Sequence, residues 1–390
     1  MRRHCNLSGR CGGCTYANIP YADELLDKRV MEEKLLGRFS DVAPILQSGR
    51  ITGYRCKVQA VCGMDDGRLV TGIYRKGTHK LIPVRSCPLE DERAGRILET
   101  IRSLCTRFGI IAYDEDMGFG DLRHVLIRLA AHNDEALVTL VTASDRLPHE
   151  ADLAAAIHQK HPFVKGVVSV KNREKTSMVI PENPEMRIIY GKGYITDRLC
   201  GLSFRISPVS FYQVNPYMAE RLYKIAMNMA SLRPDDVAID AYSGTGTIAL
   251  IAASYGAGSV IGVESNPEAV KDAVENARMN GLGNVSFVNA DASKYMKETA
   301  KRGERCSVLF LDPPRSGATE EFLAAAGRMA PDRIVYISCS PESLQRDLRY
   351  IRRFLPYRIR GIQPVDMFPG SEHIETVVLL SRIREKSRKR

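Results

Sequence analysis

"DAYSGTGTIAL", Asp240 to Leu250, is the stretch on which the fold turns. An apolar run leads into it, Gly244 and Gly246 interrupt it, and an apolar segment follows. That order reads as the turn between a strand and a helix. Neither glycine carries a side chain, so a ligand can approach the backbone closely there. A second candidate strand, in "IGVES", ends at Glu264. An acid so placed can accept hydrogen bonds from both hydroxyls of a ribose; a surface carboxylate is the weaker reading.

The same grammar continues outward. "DVAIDAY", "SVIGVE", "VSFVNA", "SVLFLD" and "RIVYISC" are strand candidates separated by helical patterns. They predict an α/β fold with a doubly wound parallel sheet. "RIRGIQPV" and "IETVVLL" lack a helix between them and predict an antiparallel closing pair. The glycine turn and its acid suit dinucleotide enzymes and S-adenosylmethionine (SAM) methyltransferases alike. The closing pair and the acid-bearing turn Asp312-Pro313-Pro314-Arg315 favour the second. Asp291, in "FVNAD", is placed to meet an adenine, although it also reads as an N-cap of the helical pattern behind it.

"RIVYISCSPESLQRD", Arg333 to Asp347, is another strand, loop and helix, with Pro341 at the helix start. Cys339 stands in its loop, where α/β proteins place their chemistry. A free cysteine is more often a small buried hydrophobe. Here the dipole of the following helix is expected to favour the thiolate.

The N-terminal half differs. Residues 1–23 are rich in Cys and Gly; residues 24–53 are a helical segment with Leu25, Leu26, Val30, Leu35 and Leu36 at helical spacing. Residues 54–200 are mostly short β-like runs, more antiparallel than parallel, with one helical insert near Leu153–His158. Residues 201–381 carry the alternating strands and helices, and 382–390 form a basic tail suited to nonspecific phosphate contact. The net charge of +10 favours a polyanionic partner such as nucleic acid. No apolar run reaches the roughly 20 residues of a membrane-spanning helix, and no signal peptide is evident, so a cytoplasmic monomer is expected. Ten cysteines in such a chain point to a metal or a reactive thiol rather than to disulfides.

"SPVSFYQVNP", "DAYSGTGTIAL", "GVE", "LDPPRSG", "YISCSP" and "DMFPGSEHIE" follow one another in an order that resembles the SAM-dependent RNA uracil-5-methyltransferases. The resemblance covers nearly the whole chain. It implies a C-terminal Rossmann-like class I SAM methyltransferase domain behind a mainly β, RNA-binding central domain. It also implies SAM-binding roles for Gln213, Tyr242, Thr247, Glu264, Asp291 and Asp312. Within the family the chain looks most like the 23S ribosomal RNA branch, which carries an iron–sulfur cluster. The cluster ligands would be Cys5, Cys11, Cys14 and Cys87. Their spacing leaves zinc and iron both open; the resemblance implies [4Fe–4S]. Cys56, Cys62, Cys105, Cys200 and Cys306 then read as packing residues. Two departures stand out. The sequence starts at the cysteines, without the β-barrel TRAM domain of many ribosomal members, and Ser340 and Gly370-Ser371 replace the family's usual Asn and His-Thr.

The implied chemistry is covalent. Uracil carbon-5 is a poor nucleophile until a thiolate adds to carbon-6, and a base must then remove the carbon-5 proton. Cys339 is the expected nucleophile and Glu375 the expected base; His373 reads as structural. A transfer-RNA methyltransferase, a noncatalytic metal-containing RNA-binding protein and a NAD-dependent oxidoreductase are the competing readings. The cysteine set argues against the first. The noncatalytic reading predicts no need for Cys339 and Glu375 together with an intact SAM pocket, and the oxidoreductase leaves the Cys-Ser-Pro and Asp-Pro-Pro-Arg motifs unexplained.

Overall fold

The structure is a computed structural model that describes residues 3–75, 77–174, 178–181 and 184–383; the basic tail from 384 onward lies outside the described residues. The chain opens with α1 (Tyr21–Leu36), β1 (Lys57–Asp65), β2 (Arg68–Tyr74), β3 (Leu81–Pro83) and α2 (Glu92–Phe108). There follow β4 (Leu122–Leu129), β5 (Ala136–Thr142), α3 (Glu150–Lys160), β6 (Val164–Lys171) and β7 (Glu185–Gly191). The second half runs β8 (Ile195–Leu199), β9 (Leu202–Ile206), α4 (Pro216–Ala230), β10 (Val237–Asp240), α5 (Thr247–Ser254), β11 (Ser259–Glu264) and α6 (Pro267–Met279). It continues through β12 (Val285–Asn289), α7 (Ala292–Lys301), β13 (Val308–Leu311), α8 (Glu320–Met329) and β14 (Arg333–Ser338). It closes with α9 (Pro341–Phe354), β15 (Tyr357–Val365) and β16 (Glu375–Arg382).

The C-terminal sheet has the order β12-β11-β10-β13-β14-β16-β15, parallel through β14, with β16 antiparallel to both of its neighbours. Its central strands are apolar on both faces because helices cover both, and all four residues of β13 are buried. Strand order reverses between β10 and β13, which opens a crevice at the carboxyl ends of these strands. The closing pair has a further effect: β16 runs backwards, so its first residue, Glu375, arrives at the edge where the parallel strands end.

The central sheet, β3-β2-β1-β4-β5-β6-β7, is antiparallel except for the β5–β6 pair, which α3 connects. One of its faces packs against α2 and α3, including Ile97, Ile101, Leu153 and Ile157. On the other face, Leu137, Val168 and Val170 share an apolar cluster with Leu222, Tyr223 and Phe310 of the C-terminal half. The two sheets are thereby packed through one continuous core.

Two sequence expectations are corrected here. The central region holds not one helical insert but two: α2 is a full amphipathic helix burying Ala94, Ile97, Leu98, Ile101 and Cys105, capped by Asp91 and by Gly109 at φ 64°. Its three- and four-residue spacing was present in the sequence, and the surrounding strand-like runs masked it. In α1 the apolar stripe is not the buried one. Leu26 is 62% and Val30 56% exposed, while Glu24, Lys28 and Glu32 are buried. The helix docks mainly through charge, with Leu36 at its end buried in the core and Leu35 packed against it.

Candidate active site

The crevice holds a cavity of about 670 Å³ between the glycine turn, the segment 211–214 and the ends of β13, β14 and β16. It is lined by Gln213, Tyr242, Thr247, Glu264, Asp312, Cys339 and Glu375, all expected from the sequence. Asp291 stands apart. Its carboxylate accepts the Lys294 backbone N–H as the N-cap of α7, and although it is not among the lining residues it lies within electrostatic reach of Tyr242, which is. Tyr223, Ser243, Arg315, Phe368 and the 66% exposed Phe211 complete the wall and were not singled out as site residues from sequence. Their signal was only proximity to a motif, since each depends on how distant segments meet.

The cofactor side is built from the backbone. Gly244 and Gly246 adopt φ 53° and 84°, and a Cβ at Gly246 would meet the Phe287 ring at 2.7 Å. Glu264 ties the turn to β11: one carboxylate oxygen accepts the Gly244 N–H at 2.9 Å and the other the Asn266 N–H at 2.7 Å. The acid thus shapes the loop as well as facing the cavity. Beneath it, Asp240 accepts the Ala249 N–H at 2.9 Å, and its second oxygen is buried without a partner. Burial, Asp312 and Glu264 raise its carboxyl to about 8.

The reacting side follows from strand register. Ser338 of β14 pairs with Thr376 of β16, which sets Cys339 beside Glu375, with Asp312 leaving the adjacent strand β13. Three groups of like polarity share this edge. Burial and Asp312 push Glu375 well above the usual carboxylate range, and burial raises Asp312 to about 7. The Cys339 thiol is driven up to about 11 by burial, then by Glu375 and Asp312, with Arg315 pulling the other way. Burial and the two neighbouring carboxyls thus act against the thiolate that the α9 dipole is expected to favour. Ser340, at the position of the family's Asn, caps α9 by accepting the Ser343 N–H.

The loop before β16 is held from outside the domain. Lys28 donates to Glu24 at 2.8 Å and to Asp366 at 2.7 Å, Tyr21 donates to Asp366 at 2.6 Å, and Glu24 accepts the Gly370 N–H at 2.7 Å. Arg3 pairs with the same Glu24. Thr376, next to Glu375, donates to Glu32 at 3.0 Å. This is why α1 buries its charges: they clamp the strand that carries the candidate base. His373 accepts from Arg315 at 2.8 Å, and burial and Arg315 lower its pKa, consistent with a neutral ring that positions the arginine.

At the other end of the chain, Cys14 lies within electrostatic reach of Cys5 and Cys11, and Cys87 within reach of Cys14. The Gly13 N–H donates to Cys11 Sγ at 3.4 Å, and Gly12 takes the left-handed φ of 67°. Two segments distant in sequence thus bring four thiols into one region. Among the described residues no three metal-binding side chains converge on a common point. Cys56, Cys62, Cys105 and Cys306 are buried, as packing residues should be; Cys200 is half-buried. No helix among the described residues is long and apolar enough to cross a membrane.

Known proteins share this arrangement. The profile of the tRNA (Uracil-5-)-methyltransferase family matches residues 169–383. The chain belongs to that family. An uncharacterized RNA methyltransferase of Halalkalibacterium halodurans is 37% identical over 96% of this chain and 82% of its own length. One of Clostridium tetani is 35% identical over 98% and 84%. The crystal structure of Pyrococcus abyssi tRNA (uracil-54, C5)-methyltransferase, in complex with S-adenosyl-L-homocysteine, superposes with a TM-score of 0.80 at 26% identity, covering 95% of this chain and 86% of that one. The protein is an RNA methyltransferase with the class I SAM-methyltransferase fold.

Proposed function

We propose that this RNA (uracil-5-)-methyltransferase modifies a specific uridine of 23S ribosomal RNA, by addition of Cys339 to carbon-6 and proton removal by Glu375. The observation that carries it is the β14–β16 register, which sets a thiol beside a buried carboxyl at the rim of a glycine-turn cavity. SAM supplies the methyl group. Gln213, Tyr242, Thr247, Glu264 and Asp312 are the residues that would hold it. Cys339 must lose its proton to attack carbon-6, and the new C–S bond makes carbon-5 nucleophilic. After methyl transfer, Glu375 in its ionised form takes the carbon-5 proton, and elimination returns the thiolate. Burial and the neighbouring Asp312 both disfavour the ionised form of Glu375 in the free protein, so compensation of Asp312 would favour its basic form.

The ribosomal reading rests on the four cysteines, which would hold a [4Fe–4S] cluster through Cys5, Cys11, Cys14 and Cys87. Such a cluster would clamp the N-terminal segment to the loop after β3. A tRNA substrate is the second reading, favoured by the name of the family and by the Pyrococcus abyssi neighbour, whose printed substrate is tRNA. A cytoplasmic monomer acting on RNA accords with the basic composition. The test is methyl transfer from labelled SAM to 23S ribosomal RNA and to tRNA transcripts, with the modified nucleoside mapped. Cys339→Ala should abolish transfer with SAM binding retained. Glu375→Gln should trap a covalent RNA–protein adduct on a denaturing gel. Methylation by Cys339→Ala would defeat the mechanism, and tRNA modified in preference to 23S ribosomal RNA would replace the substrate.

A further inference from the structure

Behind the cavity wall lies a cation pair that the chemistry above leaves unused. Lys57 and Arg128 stand directly opposite each other in the β1–β4 pair, so their side chains leave the same face of the sheet. Like charges so placed repel, and among the described residues neither forms an ion pair. Arg128 is charged and 5% exposed. Its Nη2 donates to the Pro208 and Ser210 carbonyl oxygens, yet its Nε is buried without a partner. Asp272, the acid that acts on Arg128, is engaged elsewhere: it accepts from the Ser207 and Ser210 hydroxyls at 3.2 and 2.7 Å and pairs with Arg205 at 3.7 Å. Burial and Arg128 lower Lys57 to about 8, with no acid acting in the other direction.

The pair also has a position. Lys57 and Arg128 border, with Tyr212 and Gln213, a recess of about 10 Å³, room for no more than about one water, and these last two residues line the reaction cavity as well. Its floor is fixed, because the Cys56 N–H donates to the Val214 carbonyl at 2.8 Å. Holding the 208–210 turn explains the Nη2 of Arg128. It explains neither the unpartnered Nε nor Lys57. Lys57, half-buried behind the wall of a site for a polyanion and without a counter-charge among the described residues, is the complement of a phosphodiester that reaches its exposed side.

We propose that Lys57, backed by Arg128, binds an RNA backbone phosphate next to the uridine in the reaction cavity. Arg128 supplies fixed positive charge and anchors the 208–210 turn; Lys57 makes the contact from the partly exposed side. This inference rests on the proposed RNA methylation and would act on binding, not on the chemical step.

The experiment is RNA binding by the full-length protein across a salt series, for wild type, Lys57→Gln and Lys57→Arg, with methyl transfer to the same RNA measured in parallel. Loss of one phosphate contact should make the slope of log affinity against log salt shallower by about one for Lys57→Gln, uniformly across RNA sequences, with Lys57→Arg restoring it. SAM affinity and turnover at saturating RNA should stay at the wild-type values. On the wild-type protein itself, RNA but not SAM should protect Lys57 from acetylation, read by mass spectrometry. An unchanged slope, or equal acetylation of Lys57 with and without RNA, overturns the phosphate site while wild-type methylation stands. A wild type that methylates no RNA uridine overturns the parent reading instead.

Discussion

The Cys339 thiol gives the sharpest quantitative test of the site. Its pKa in the free protein is raised from 9.0 to about 11 by burial, Glu375 and Asp312. Below pH 9 that shift leaves about 100-fold less thiolate than an ordinary cysteine would have. The thiolate that does form is more nucleophilic, since reactivity rises by about 0.4–0.5 log units per pKa unit, which returns nearly tenfold. The net expectation is alkylation by iodoacetamide roughly tenfold slower than for an exposed cysteine at neutral pH. The rate should keep rising with pH to about 11. The assay is mass spectrometry of the peptide carrying Cys339 after timed alkylation across a pH series. Glu375→Gln removes the larger of the two carboxyl contributions and should move the midpoint down toward 9.0. A midpoint at or below the ordinary thiol value in wild type, or no downward movement in Glu375→Gln, would refute the electrostatic picture of the strand edge.

Other consequences are equally direct. Lys28→Met leaves Glu24 and Asp366 buried without their shared cation, a change expected to cost about 3–5 kcal/mol and to lower the melting temperature by roughly 4–6 °C; an unaltered melting temperature would show that the clamp is not a stabilising unit. Gly246→Ala drives a methyl into the Phe287 ring at a positive-φ position, so SAM affinity measured by calorimetry should fall at least tenfold with the central sheet intact. Asp240 has a raised carboxyl, about 8, so its contribution to stability is complete below the usual carboxylate pKa and is lost as pH rises through about 8. Asp240→Asn, which keeps an acceptor for the Ala249 N–H, should therefore flatten the decline in melting temperature over that window. Wild-type and variant curves that stay parallel would remove Asp240 as its source.

Much of the site was legible before any coordinates. Gly244, Glu264, Asp312 and Cys339 are marked by where they fall at strand ends, and the structure places them around one cavity, because a parallel sheet brings its carboxyl ends to a common edge. Asp291 shows the limit of such reading: a strand-end acid before a helix satisfies both a ligand rule and a capping rule, and the two are compatible, since the cap uses one carboxylate oxygen.

Sequence alone determined the order of the strands in the chain, the glycine turn and the presence of a thiol and an acid near the C-terminus, because these follow from local periodicity and from residue chemistry. Tertiary structure decided what those groups experience. The antiparallel return of β16 puts Glu375 next to Cys339, and burial, with that adjacency behind it, raises the thiol's pKa. It also decided that α1 buries Glu24, Lys28 and Glu32 rather than Leu26 and Val30. A buried charge is stable only where a distant partner meets it, and Asp366, Gly370 and Thr376 are brought to that helix only by the fold.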